Sequence, residues 1–146
     1  MTKKILWIPF LITASIIAIL IARDILLHGD VSKYEVDYGK SELYTHEELK
    51  YAVDTVEEYF KEHFAGCKLK RIRYGGDNND EGYSLSDINA NRGHSKYNKT
   101  IVLYIDFKTD DINYSSFEPN QLYTDFVFIL ASAGENKWSI LSCGYA

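Results

Sequence analysis

Two aspartates are the side chains best placed by type and spacing for acid–base work. Asp106 alternates with Ile101, Leu103, Ile105 and Phe107 in one apolar run, and Asp125 alternates with Phe126, Phe128 and Leu130 in another. Alternation of this kind marks half-buried strands, so both carboxylates are expected on a sheet, where they could confront one another in a pocket. Burial that raised a carboxyl pKa there would make a general base; on an open face both would be solvated. Tyr104 and Trp138 belong to the same set of strands. With Asp106 and Asp125 they are the candidate ligand-binding side chains, and no catalytic residue is assigned.

Other chemistry finds little support. His28, His46, His63 and His94 are scattered, and His46-Glu47-Glu48 is followed by Lys50 where a zinc-binding helix needs its second histidine. Asp77, Asn79, Glu81 and Gly82 match the opening of a calcium loop, but Ile88 stands where a bidentate glutamate should close the shell. No G-x-S-x-G elbow or Gly-rich phosphate loop occurs. Neither a metal nor a cofactor is therefore expected, and the chain reads more as a binding protein than an enzyme. Asn98-Lys99-Thr100 and Asn113-Tyr114-Ser115 have the form of glycosylation sequons.

The two cysteines, Cys67 and Cys143, open the first and lie in the last of the predicted strands. A disulfide between them is expected if those strands pair in an oxidising compartment; two buried thiols are the alternative.

The compartment is argued from the amino terminus. After Lys3 and Lys4, Ile5 to Ala22 run for 18 residues without a charge, most of the length needed to span a bilayer. The run exceeds the apolar stretch of a cleavable signal and lacks an A-x-A site, which favours an uncleaved single-pass anchor over a cleaved peptide. The preceding lysines place the amino terminus in the cytoplasm and the rest outside. All 21 acidic residues but only 14 of the 16 basic ones follow position 22, a net charge of −7 that makes nucleic acid a poor partner. The basic stretch Lys68, Lys70, Arg71 and Arg73 reads as a solvated strand face, or else as a patch for an anionic partner.

The elements that must hold these residues follow from periodicity. Residues 1–22 form the anchor, 23–44 a tether and 45–146 the folded domain. Thr45 and Glu48 make a capping box, and Leu49, Ala52, Val53, Val56, Phe60 and Phe64 form one helical stripe over 46–65. Strands are predicted at 67–74, with a bulge near Lys70 and Arg71, at 101–107, at 125–130 and at 138–145. Residues 75–98 and 109–121 read as loops and 132–136 as a hairpin turn. With no convincing crossover helix after the first strand, the sheet is expected to be antiparallel and four-stranded, the class being α+β.

That order of elements is similar to the cystatin-like fold, a long helix wrapped by a curved sheet. The phrases FAGCKLKRIRY, IVLYIDFKTD, FEPNQLYTDFVFIL and GENKWSILSCGY resemble a family of small exported proteins of Gram-positive bacteria, over about 41–145. The resemblance implies a compartment and a fold but no activity, and Cys143 departs from the acidic or aromatic residue expected there. The inhibitory signature of cystatins is missing: Gln121 is followed by Leu122, Tyr123, Thr124 and Asp125, and neither proline precedes a tryptophan. The functional expectation is a membrane-anchored extracytoplasmic domain that binds a protein, peptide or glycan at the cell surface, or a second copy of itself. The alternatives are a small envelope enzyme using a pocket carboxylate, and an envelope inhibitor or immunity-type protein.

Overall fold

Thr45 starts the amphipathic helix on which the domain is built. In the computed structural model, which describes residues 7–78, 89, 97–111, 116–134 and 136–145, Thr45 is extended. Its hydroxyl accepts from the Glu48 N–H at 3.2 Å while the Glu48 carboxylate accepts from the Thr45 N–H at 2.9 Å. This reciprocal box satisfies two backbone donors that the helix leaves open. The helix runs His46–His63 and buries Leu49, Ala52, Val53, Val56 and Phe60. It stops two residues short of the expected end because Phe64 turns to φ −110° and ψ 50°.

An earlier helix, α1, spans Trp7–Leu27, and the helix at His46–His63 is therefore α2. Five strands complete the fold: β1 (Glu35–Asp37), β2 (Cys67–Tyr74), β3 (Lys99–Thr109), β4 (Leu122–Ser132) and β5 (Trp138–Gly144). They lie in the order β1-β2-β3-β4-β5. The last four form an antiparallel meander, whereas β1 runs parallel to β2.

The sheet is thus five-stranded and mixed, which corrects the expected cystatin-like fold with its four-stranded antiparallel sheet. The extra strand comes from residues assigned to the tether. Tyr34, Val36 and Tyr38 alternate with Glu35 and Asp37, and the three apolar side chains pack against the core. With β1 in place, α2 becomes the crossover that a parallel pair requires. Upstream, Asp30 bridges to Lys68 in the same parallel sense, so the chain follows β2 before it pairs fully.

The membrane anchor is also corrected. Among the described residues no helix is long and apolar enough to cross a membrane. The uncharged part of α1, Trp7 to Ala22, rises about 24 Å at ~1.5 Å per residue, against roughly 30 Å of hydrocarbon. Arg23 and Asp24 then fall inside the helix. Along it Leu11, Ile12, Ile16, Ile17, Ile19, Leu20 and Ile21 are all more than half exposed.

The expected disulfide does not form. β3 and β4 lie between β2 and β5, and three strand spacings of ~4.8 Å separate Cys67 from Cys143 by about 14 Å, beyond the ~4.4–6.8 Å between Cα atoms that a bridge needs. Cys67 is buried at the start of β2, and Cys143 is half-buried near Tyr59.

Between α2 and the sheet lies the main core, continued by a ring cluster of Phe60, Phe64, Phe107, Phe117, Tyr123, Phe126 and Phe128. The opposite face buries a smaller cluster of Val102, Val127 and Ile129, with Tyr104 and Leu141 against it.

Candidate functional site

Three of the four candidate side chains meet on the sheet face away from α2, and a bulge in β2 brings two arginines to them. Omitting Lys70 from the β2 ladder shifts the phase of the strand, so that Arg71 pairs with Asp106 and Arg73 with Tyr104. On β4 the register slips opposite Asp106, and Asp125 takes a left-handed φ of 55°. A bulge leaves backbone groups unpaired. Here the Asp125 N–H is recovered by donating to Asp106 Oδ1 at 3.0 Å.

The charges on this face are paired. Arg71 Nε donates to Asp106 Oδ2 at 3.0 Å, its Nη2 lies 3.0 Å from the same oxygen, and Arg73 Nη2 donates to Asp125 Oδ1 at 2.7 Å. The Arg73 guanidinium also lies 4.0 Å from the Tyr104 ring centroid, a cation–π distance. Glu35 and Asp37 stand beside Arg71 and Arg73 in the β1 register. Lys68 is engaged by Asp30 at 2.9 Å, so three of the four cations in the basic stretch are neutralised internally. Asp106 has both oxygens occupied, and the Asp125 side chain is 59% exposed. The pair is held together as a structural ladder, with Asp125 open to solvent.

Trp138 belongs elsewhere. It is buried on the α2 side, with the Tyr44 ring 6.1 Å away, and its indole N–H has no hydrogen-bond partner among the described residues. Tyr44 leads outward to a cavity of about 930 Å³ that no sequence motif announced, lined by Tyr38, Lys40, Glu42, Tyr44, His46 and Asp77 among others. Its wall is the turn between β1 and α2. Gly39 takes φ +56°, a left-handed conformation that glycine adopts without strain, and its N–H donates to Asp37 Oδ1 at 2.9 Å. Ser41 Oγ accepts from the N–H groups of Leu43 and Tyr44.

Asp77, at the far end of β2, fastens this turn. It accepts from Ser41 Oγ at 2.5 Å, from the Glu42 N–H at 2.7 Å and from the Tyr74 hydroxyl at 2.7 Å. Tyr38 and His46 meet edge to face at 4.4 Å, and the Tyr44 hydroxyl donates to the Thr100 carbonyl. The cavity is therefore walled by tyrosines on a turn fixed before any ligand arrives. Ser41 and Asp77 lie 36 residues apart, which is why local pattern reading misses the staple. Of the calcium-loop residues only Asp77 is described, and it is occupied here; Asn79, Glu81, Gly82 and Ile88 lie outside the described residues, as do most of the 75–98 loop and the sequon at Asn113. Among the described residues no group of three His, Cys, Asp or Glu side chains is gathered for a metal.

The staple titrates with a definite sign. The hydrogen bond from Ser41, then those from Glu42 and Tyr74, hold the Asp77 carboxyl below its ordinary 3.8. A depressed folded value means the stabilisation is complete above the unfolded value and fades as pH falls through the folded one. The Glu42 amide resonance should therefore titrate with a midpoint below 3.8 and become flat in Asp77→Asn. A midpoint at or above 3.8 would contradict the staple.

Nucleophilic chemistry is not assembled around the cysteine. Burial pushes the Cys143 thiol up, so it stays protonated at neutral pH, and the neighbouring Tyr59 phenol is raised for the same first reason. His63 stacks on Tyr59 at 4.0 Å in the last turn of α2.

No family model, curated protein or solved structure matches the chain. The likeness to exported proteins of Gram-positive bacteria rests on its sequence phrases alone.

Proposed function

We propose that this protein is a non-catalytic binding domain that works outside the cytoplasm and takes a peptide or glycan in the cavity between the 38–44 turn and Asp77. The observation that carries the reading is the division of labour between two of the places where polar side chains gather. The carboxylates that would serve an enzyme are tied to Arg71 and Arg73 on a surface face, while the preformed cavity presents Tyr38, Tyr44, Lys40 and Glu42, and the Ser41 hydroxyl and Asp77 carboxylate in its wall are committed to fastening the turn. A cavity of several hundred Å³ with aromatic walls and a few fixed polar groups suits a ligand that is partly apolar and richly hydrogen-bonding. The exterior placement is supported by Lys3, Lys4 and the apolar run that follows, read as an export signal.

Fluorescently labelled protein applied to an array of peptides and cell-surface glycans tests the assignment. Tyr38→Ala combined with Lys40→Ala should weaken every retained spot by about tenfold or more, equivalent to ~1.4 kcal/mol, whereas Asp106→Asn should leave the pattern intact. Loss of signal with Asp106→Asn and not with the cavity variant, or cleavage of an arrayed compound, would replace this reading with the enzyme one.

A further inference from the structure

The two borders of the sheet are unlike. β1 is three residues long and carries Glu35 and Asp37, so it is short and charged, the usual protection of an edge strand against unwanted pairing. β5 is seven residues long, and its sequence WSILSCG holds neither a charge nor a proline. Among the described residues it pairs only with β4, and no backbone group bonds to its outer side. We infer that the outer edge of β5 pairs antiparallel with β5 of a second copy, joining the two five-stranded sheets across a two-fold axis.

The chemistry of the strand selects a copy of itself as the occupant. On the α2 side Ile140 and Cys143 are only half-buried, and Tyr145 beyond them is 57% exposed. On the other side Ser139 and Ser142 are exposed. A two-fold pairing sets like faces together, apolar against apolar and serine against serine, and adds no like charge. Pairing two β1 edges would instead set Glu35 and Asp37 against their own copies, which destabilises a ladder. An isologous contact of this type closes on itself as a dimer and does not propagate. The bulge that leaves Leu141 out of the β4 register divides β5 into Trp138–Ile140 and Ser142–Gly144. The axis therefore passes through Ser139 or Cys143, the positions about which each run keeps its faces in phase.

This pairing is independent of the cavity and can fail without affecting the binding assignment. The test uses the full chain in a non-ionic detergent, which covers the exposed apolar side chains of α1, with mass measured by light scattering from about 5 to 200 μM. Wild type should be a concentration-dependent dimer. Ser139→Lys with Ser142→Lys, and separately Ser139→Glu with Ser142→Glu, should each be monomeric with unchanged circular dichroism. An equimolar mixture of the two should regain the dimer as a heterodimer. Hydrogen exchange on wild type supplies a readout that needs no variant: amides of 139–144 should be slower at the high concentration than at the low one. A monomer throughout, or a dimer unaffected by either charge variant, would overturn the proposal, as would β5 exchange independent of concentration.

Discussion

Phe107→Ala should lower the stability of the domain by roughly 3–5 kcal/mol, the range for truncating a fully buried phenylalanine. Phe107 is 0% exposed. Its ring lies 5.0 Å from Phe117, 5.0 Å from Tyr123 in a stacked arrangement, 5.3 Å from Phe64, 5.6 Å from Phe126 and 5.9 Å from Phe60. The cavity left behind would open at the junction of α2, β3, β4 and the segment carrying Phe117, where no single element can move to fill it. Aromatic pairs add about 0.5–1.5 kcal/mol beyond area burial, so the upper half of the range is expected. Against a total of about 5–15 kcal/mol for a protein of this kind, that is a large fraction of the stability. The urea midpoint reads it directly, and the melting temperature should fall by on the order of 15 °C. Leu122→Ala, at a position 62% exposed in the neighbouring strand, should stay within about 0.5 kcal/mol. A loss below ~1 kcal/mol for Phe107→Ala would mean that the ring cluster is not the centre of the core.

Gly29→Ala should cost about 2–3 kcal/mol, although it adds a single methyl group. A Cβ at this position would stand 2.5 Å from the Phe60 carbonyl oxygen and 2.8 Å from its ring. The carbonyl cannot yield, since it belongs to α2 and accepts the N–H of Phe64. The incoming chain must move instead, and overpacking of this kind costs ~1–3 kcal/mol before further losses. Those losses follow from what Gly29 leads into. Its N–H donates to the Lys61 carbonyl at 2.8 Å, the Asp30 N–H donates to the Cys67 carbonyl at 2.8 Å, and the Leu69 N–H donates to the Asp30 carbonyl at 2.9 Å. Displacing this strap loosens β1 and the turn that walls the cavity. Hydrogen exchange should show Glu35–Asp37 losing protection while β3 and β4 keep theirs. Gly144→Ala, where an added Cβ meets no atom within 4 Å, is the matching control and should be nearly neutral. A neutral Gly29→Ala with β1 still protected would show that the segment before β1 is not held in this way.

What the sequence determined by itself was whatever a few neighbouring residues decide among themselves. The start of α2 is legible because the capping box is closed by residues three apart. Its buried face is legible because Leu49, Ala52, Val53, Val56 and Phe60 repeat at the helical period. The alternation of Ile101, Leu103, Ile105 and Phe107 likewise identifies β3 and its buried side, and the broken alternation at Lys70 announces the bulge in β2. Tertiary structure alone decided everything that depends on which distant segments pair. β1 is three residues long, too short to signal itself, and exists because β2 offers it a ladder; that one pairing turns an antiparallel sheet into a mixed one and α2 into a crossover. The apolar run at the amino terminus looked long enough to span a membrane by count, but its described helical part is not. The interposition of β3 and β4 keeps Cys67 from Cys143, although both lie in strands as expected. The same pairing sorted the candidate site. Strand alternation left Asp106 and Asp125 free to confront one another, and Tyr104 and Trp138 as candidates for an uncovered face, yet Trp138 pairs with Ser132 on the α2 side while the bulge in β2 brings Arg71 and Arg73 to claim the two carboxylates. A bulge inserts one residue and inverts the facing of all that follow, so face assignments decay with each irregularity. The Ser41–Asp77 staple that forms the cavity joins residues with no local reason to meet, and only the parallel docking of β1 beside β2 brings the turn after one strand to the end of the other.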